Sequence, residues 1–267
     1  MGYLMEELTV NELREILDNH TKTAVLPVGI VEQHGYHLPL FTDAIVATEI
    51  AKQAAPDMNA VVLPTIPYCY SGGKLTGTIN VSIPVFALLV KDIVSELLRM
   101  GFKNVILFLG HGGYENTQAI ENVLNDVLAD ERYTQSVCLS VVGAWDLSNT
   151  WGDMMAIKPE ADTHAGWAET SIMMHLRPEL VRDEIVMDKP DVAKYMRTGE
   201  GEKLLEKKRV VDHPMVMPEY IPIPGMEIKV GITGFPHKAN SELGYKIFEE
   251  ARTELIKLVN LIERENR

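Results

Sequence analysis

Cysteine is nearly absent: Cys69 and Cys138 are the only two in 267 residues. Two thiols cannot build a disulfide framework, and no Cys-x-x-Cys pair marks a structural zinc. That scarcity fits a reducing compartment, so a cytoplasmic location is expected. Basic residues are also few, 25 Lys and Arg against 38 Asp and Glu, for a formal net charge of −13. Such a surface repels phosphate backbones and anionic headgroups, which argues against nucleic-acid and membrane partners. No apolar run approaches the roughly 18 residues of a membrane-spanning helix. The opening MGYLMEELTVNEL has no basic stretch followed by an apolar core, so no secretory leader is expected. Repeats, low-complexity tracts and flexible linkers are missing too. Hydrophobic residues make up 46% of the chain, enough for a large core.

Strand-like and helix-like segments alternate. Thr9 and Glu12 have capping-box spacing, and Leu13, Ile16 and Leu17 follow with helical periodicity. Residues 23–30 read as a buried strand, and a helix after Asp43 stops at Pro56. Residues 60–66 read as the second strand. The helix over 83–101 has Pro84 in its first turn and ends at Gly101. Residues 104–110 are apolar on both faces, as in parallel strands. A helix is predicted over 118–130, a fourth strand over 136–143, a long loop over 145–163 and a helix over 165–176. Residues 178–230 read as irregular, with a charged helical piece near 199–209. An amphipathic helix over 242–265 closes the chain. This order predicts an α/β fold, a three-layer α/β/α sandwich with a mostly parallel central sheet, in one domain over residues 1–267.

In open parallel sheets, ligands bind beyond the carboxyl ends of the strands. After the first strand come Glu32, His34, His37 and Asp43. After the third comes Gly110-His111-Gly112-Gly113. Glu32 and His34 are two apart, so in an extended segment both point the same way. Asp43 reads either as a helix N-cap or, if Thr42 caps, as a metal ligand. The glycines around His111 permit positive φ and leave room for the imidazole. They could instead form a phosphate loop, although the Lys and spacing of a P-loop are missing. Two carboxylates and two imidazoles without a thiolate suit Zn²⁺, Mn²⁺ or Fe²⁺ in a partly open site. His164 and Glu169, five apart, suggest a histidine on an incoming loop and a carboxylate on the following helix. Glu169 could also be a solvated first-turn residue favoured by the helix dipole.

These residues resemble the creatininase (creatinine amidohydrolase) family. PVGIVEQHGYHLPLFTDAIVATEIA (27–51) is similar to its first signature, FLGHGG (108–113) to its second and HAGWAETS (164–171) to its third. GITGFPHKANSELGYKIFEEA (231–251) is similar to its C-terminal segment. The resemblance implies an α/β/α sandwich, two divalent metal ions and a homo-oligomer, often a hexamer. It implies that Asp43 bridges the ions, that Glu32 and His111 complete one site, and that His34 helps form the other. It also implies that His164 moves protons. Creatininase itself carries a Glu two residues past the ligand His, where this chain has Gly113. The missing carboxylate is then Glu169, with Glu115 as the rival.

At the presumed mouth the chain reads Tyr70-Ser71-Gly72-Gly73-Lys74-Leu75-Thr76-Gly77-Thr78, without the Glu-His that many relatives carry. That departure points away from creatinine itself. Lys74, Thr78, His37 and Trp167 are the candidate substrate contacts, with Lys74 otherwise a solvated loop lysine. The implied activity is metal-dependent hydrolysis of a small polar ring: a cyclic amide, a formamide or a keto-polyol. Cleavage of a C–C bond, as in a 3-dehydro-scyllo-inosose hydrolase, is one alternative. A non-catalytic nucleotide- or sugar-binding module, using residues 110–113 as an anion nest, is another.

Overall fold

A computed structural model describes residues 2–130, 137–157 and 161–266. The chain divides into two compact units, residues 1–32, 40–152 and 245–267 in the first, and residues 33–39 and 153–244 in the second.

The first unit is built on a five-stranded sheet, β1 (Tyr3–Leu4), β2 (Thr23–Val28), β3 (Val61–Val62), β4 (Asn104–Leu109) and β5 (Cys138–Gly143). The strand order is β1-β3-β2-β4-β5, and every neighbouring pair is parallel. The pairing of β2 with β4 runs Ala24 to Val105, Leu26 to Leu107 and Val28 to Leu109, which places these side chains on one face. That face packs against α1 (Val10–Asn19), α3 (Ile83–Met100) and α4 (Tyr114–Leu128) through Ile16, Phe86, Val90, Ile120 and Leu124. The alternate residues Val25, Ile106 and Phe108 are equally buried. On the side of these alternate residues, Thr23 Oγ1 donates to Glu263 of α8 (Ser241–Glu265), and Asn104 Nδ2 donates to Thr23 Oγ1 at 2.8 Å. Helix α2 (Thr42–Ala54) lies beside α8, whose Arg252 Nε donates to Gln53 O at 3.0 Å. The result is the three-layer arrangement expected.

Two glycines position the start of α2. A Cβ on Gly110 would fall 2.0 Å from Asp43 O, and one on Gly29 would fall 2.5 Å from Ala44 Cα. Only bare backbone at the ends of β2 and β4 lets Asp43 approach. No glycine of 110–113 has positive φ, so that part of the sequence reading is corrected.

Several boundaries differ. Regular pairing in the second strand covers only Val61–Val62, with one further bridge from Ile66 to Val28. Helix α4 begins at Tyr114, four residues before the expected start. The expected loop 145–163 contains α5 (Asn149–Ala156), because Ser148 Oγ accepts from Trp151 N at 3.1 Å and Glu250 accepts from Thr150 N at 2.9 Å. Residues 136 and 158–160 of these expectations lie outside the described residues.

The second unit holds α6 (Trp167–Leu176), α7 (Pro190–Arg197) and a hairpin of β6 (Leu205–Lys208) with β7 (Glu219–Pro222). The charged helix expected near 199–209 is therefore corrected: 201–204 form a 3-10 turn, and 205–208 pair antiparallel with 219–222. Charged residues favour helix only weakly, and a full ladder of cross-strand bonds outweighs that preference. Helix α6 starts at Trp167 rather than 165 because Ala165 has φ +52°. Asp162 accepts from Trp167 N at 2.7 Å and Ala168 N at 2.8 Å, doing the work of an N-cap.

Candidate metal centre

In the first unit, Glu32, Asp43 and His111 each offer one ligand atom within 4.8 Å of the others. Glu32 follows β2, Asp43 opens α2 and His111 follows β4. His111 Nδ1 lies 3.1 Å from Asp43 Oδ2 and 3.3 Å from Glu32 Oε2. Phe41 occupies the N-cap of α2 without a side-chain cap bond, so neither Asp43 nor Thr42 caps it, and the capping reading is corrected.

Burial alone would lower the His111 pKa. Hydrogen bonds to Asp43 and Glu32, together with their charge, outweigh it and raise the pKa to about 10. A proton on this imidazole thus offsets two buried carboxylates, a role a divalent cation fills with greater charge. Two carboxylates and one imidazole suit Zn²⁺, Mn²⁺ or Fe²⁺. His111 Nε2 is buried and has no hydrogen-bond partner among the described residues. Burial and the charges of Asp43 and Glu32 push the nearby Cys69 thiol far up, so it stays protonated and offers no thiolate ligand.

Glu32 has a further partner that the sequence did not flag: Ser71 Oγ donates to its Oε1. The loop carrying Ser71 is tied down by Asn80, whose Oδ1 accepts from Ser71 N and Gly72 N at 2.9 Å each. Asn116 of α4 holds Tyr70 through both its amide groups. Lys74 is exposed on this loop and Thr78 is half-buried. Glu115 is exposed in the first turn of α4.

In the second unit, His34 Nε2 lies 3.6 Å from Glu169 Oε2, close enough for one ion to touch both. The His34 and His164 rings are 4.3 Å apart at a tilt of 47°. His164 Nε2 lies 2.7 Å from the Gln33 carbonyl oxygen, so it donates there and the neutral ring carries its lone pair on Nδ1. The turn is held by Thr233 N, which donates to His164 O at 3.0 Å, and by Ala165 N, which donates to Glu169 Oε2 at 2.6 Å. His37 is buried, with Nε2 2.9 Å from Thr170 Oγ1. Its burial, then the charges of His34, His237 and His164, lower its pKa to about 4. Trp167 is half-buried, with Lys238 Nζ 5.2 Å from its ring centre.

Ser71, Asn80, Asn116 and Gln33 act through partners distant in sequence or on a loop outside the motifs, contacts that no local spacing encodes.

The family model described as "Creatininase: Creatinine amidohydrolase" matches residues 6–259. The creatinine amidohydrolase of Pseudomonas putida is 31% identical over 198 residues, 69% of this chain and 75% of that protein. The mycofactocin precursor peptide peptidase of Mycolicibacterium smegmatis is 31% identical over 171 residues, 61% of each chain. A solved creatininase with manganese superposes with a TM-score of 0.78 at 24% identity, covering 98% of this chain and 99% of that one.

Proposed function

The chain belongs to the creatininase family of metal-dependent hydrolases, and from that premise we propose that it hydrolyses a small polar cyclic substrate using two divalent ions. The substrate is a cyclic amide, a formamide or a keto-polyol ring. Glu32, Asp43 and His111 would hold one ion, and His34 and Glu169 would hold another. The single observation that carries this reading is the convergence of Glu32, Asp43 and His111 within 4.8 Å.

Glu169 is preferred to Glu115 because its carboxylate already faces His34 at 3.6 Å, whereas Glu115 is exposed. Gly113 has no side chain and cannot supply the ligand. Divalent ions bound here supply Lewis acidity and bring the pKa of a water toward about 7. His164, fixed through Nε2 by the Gln33 carbonyl, would take up on its Nδ1 lone pair the proton released when water attacks and pass it to the leaving atom. A leaving nitrogen corresponds to amide hydrolysis and a leaving carbon to ring opening of a β-dicarbonyl. Of the candidate substrate contacts, Lys74 and Thr78 belong to the first unit and His37 and Trp167 to the second.

A hydrolase screen with Mn²⁺, Zn²⁺ or Fe²⁺ added, covering creatinine, formamidopyrimidines, keto-inositols and a short peptide, tests the substrate class. Turnover of a ring substrate only with added metal is expected. Cleavage of the peptide alone would overturn the ring assignment.

A further inference from the structure

The proposed chemistry assigns no task to the stretch Tyr70-Ser71-Gly72-Gly73, which lies against Glu32. Its geometry is specific. Ser71 Oγ donates to Glu32 Oε1, while the same oxygen accepts from Gly73 N at 3.2 Å. The incoming N–H fixes the direction of the hydroxyl, which leaves its proton for the carboxylate. Gly72 has φ +79°, a conformation that disfavours any side chain. A Cβ on Gly73 would lie 3.1 Å from Ser71 Oγ and would crowd the hydroxyl.

The segment is also braced from two directions. Asn80 accepts from Ser71 N and Gly72 N and returns a bond to Gly73 O at 2.7 Å. Asn116 binds both the N–H and the carbonyl of Tyr70. Asn116 lies in the first turn of α4, five residues after His111. The same brace therefore joins the segment that follows β4, which carries His111, to the loop that grips Glu32.

We infer that Ser71 is a positioning residue for Glu32. It occupies Oε1, so that the carboxylate presents Oε2, 3.3 Å from His111 Nδ1, to the cluster with Asp43. A carboxylate held at one oxygen binds a metal through the other in a fixed orientation, and loss of such a partner weakens metal affinity by about 10- to 100-fold. This inference rests on the proposed reading of Glu32, Asp43 and His111 as metal ligands.

Mn²⁺ affinity of the full chain, measured by titration calorimetry on chelator-stripped protein, tests it. Ser71→Ala should lose about 10- to 100-fold in affinity, with the thermal midpoint of the metal-free protein unchanged. Ser71→Thr, which keeps the hydroxyl, should restore most of it. Asn80→Ser, which releases the loop while leaving Ser71 in place, should weaken Mn²⁺ in the same direction and serves if Ser71→Ala does not fold. Wild-type affinity in Ser71→Ala, alongside a loss in Glu32→Gln, would overturn the role of Ser71 and leave the metal site standing. Absence of Mn²⁺ and Zn²⁺ binding in the wild type would overturn the metal site, and the inference with it.

Discussion

His111 stands between two carboxylates, 3.1 Å from one and 3.3 Å from the other. Without a cation, folding would have to bury two like charges and offset them with a single proton. The identities of Glu32, Asp43 and His111 were legible in the sequence because the motifs put them after strand ends. The Ser71 bond was not, since a serine 39 residues away carries no local signal. His164→Ala should keep its metal content and lose roughly 100- to 10,000-fold in turnover; full activity in that variant would remove His164 from the mechanism. Glu169→Gln should lose one ion by elemental analysis while Glu115→Gln keeps both, and the reverse pattern would reassign the ligand. His37 gives a pH dependence. Its folded pKa of about 4 lies below the ordinary value of 6.5, so the unfolded chain binds more protons between them. Stability should therefore fall as pH drops from about 6.5 toward about 4, approaching roughly 1.4 kcal/mol per pH unit from this one group. His37→Asn should flatten that slope in urea titrations of metal-free protein; an unchanged slope would contradict it.

Elements hold the ligands through close backbone approach. Helix α2 can bring Asp43 to the strand ends only because Gly29 and Gly110 have no side chains in its path. In the sequence the glycines around His111 suggest freedom of φ, but what matters at Gly110 is the missing Cβ. Gly110→Ala should cost at least about 1–3 kcal/mol in urea unfolding and weaken metal binding together with stability. Normal stability with normal metal affinity would show that α2 can shift freely. The long helices and buried strands were legible from periodicity. The β6–β7 hairpin and α5 were not: their stability comes from cross-strand bonds and from the Glu250 contact, neither of which leaves a helical or alternating pattern.

At the scale of the whole molecule, family, parallel sheet and hydrolase class follow from signatures spread along most of the chain, whereas the substrate depends on loop contacts that vary within the fold. None of the described helices is long and apolar enough to cross a membrane. An acidic chain with a net charge of −13 gains from any cation that binds only the folded state. Free Mn²⁺ at 100 times its dissociation constant should raise stability by about 2.7 kcal/mol, and chelation should reverse it. A melting midpoint indifferent to both would show that the cation has no preference for the folded state. The most direct measurement is the metal content of the purified chain by mass spectrometry, with Asp43→Asn beside it and hydrolase activity read on both. Two divalent ions per wild-type chain, lost with activity in Asp43→Asn, are expected; a metal-free wild type that hydrolyses its substrate at full rate would contradict the metal assignment.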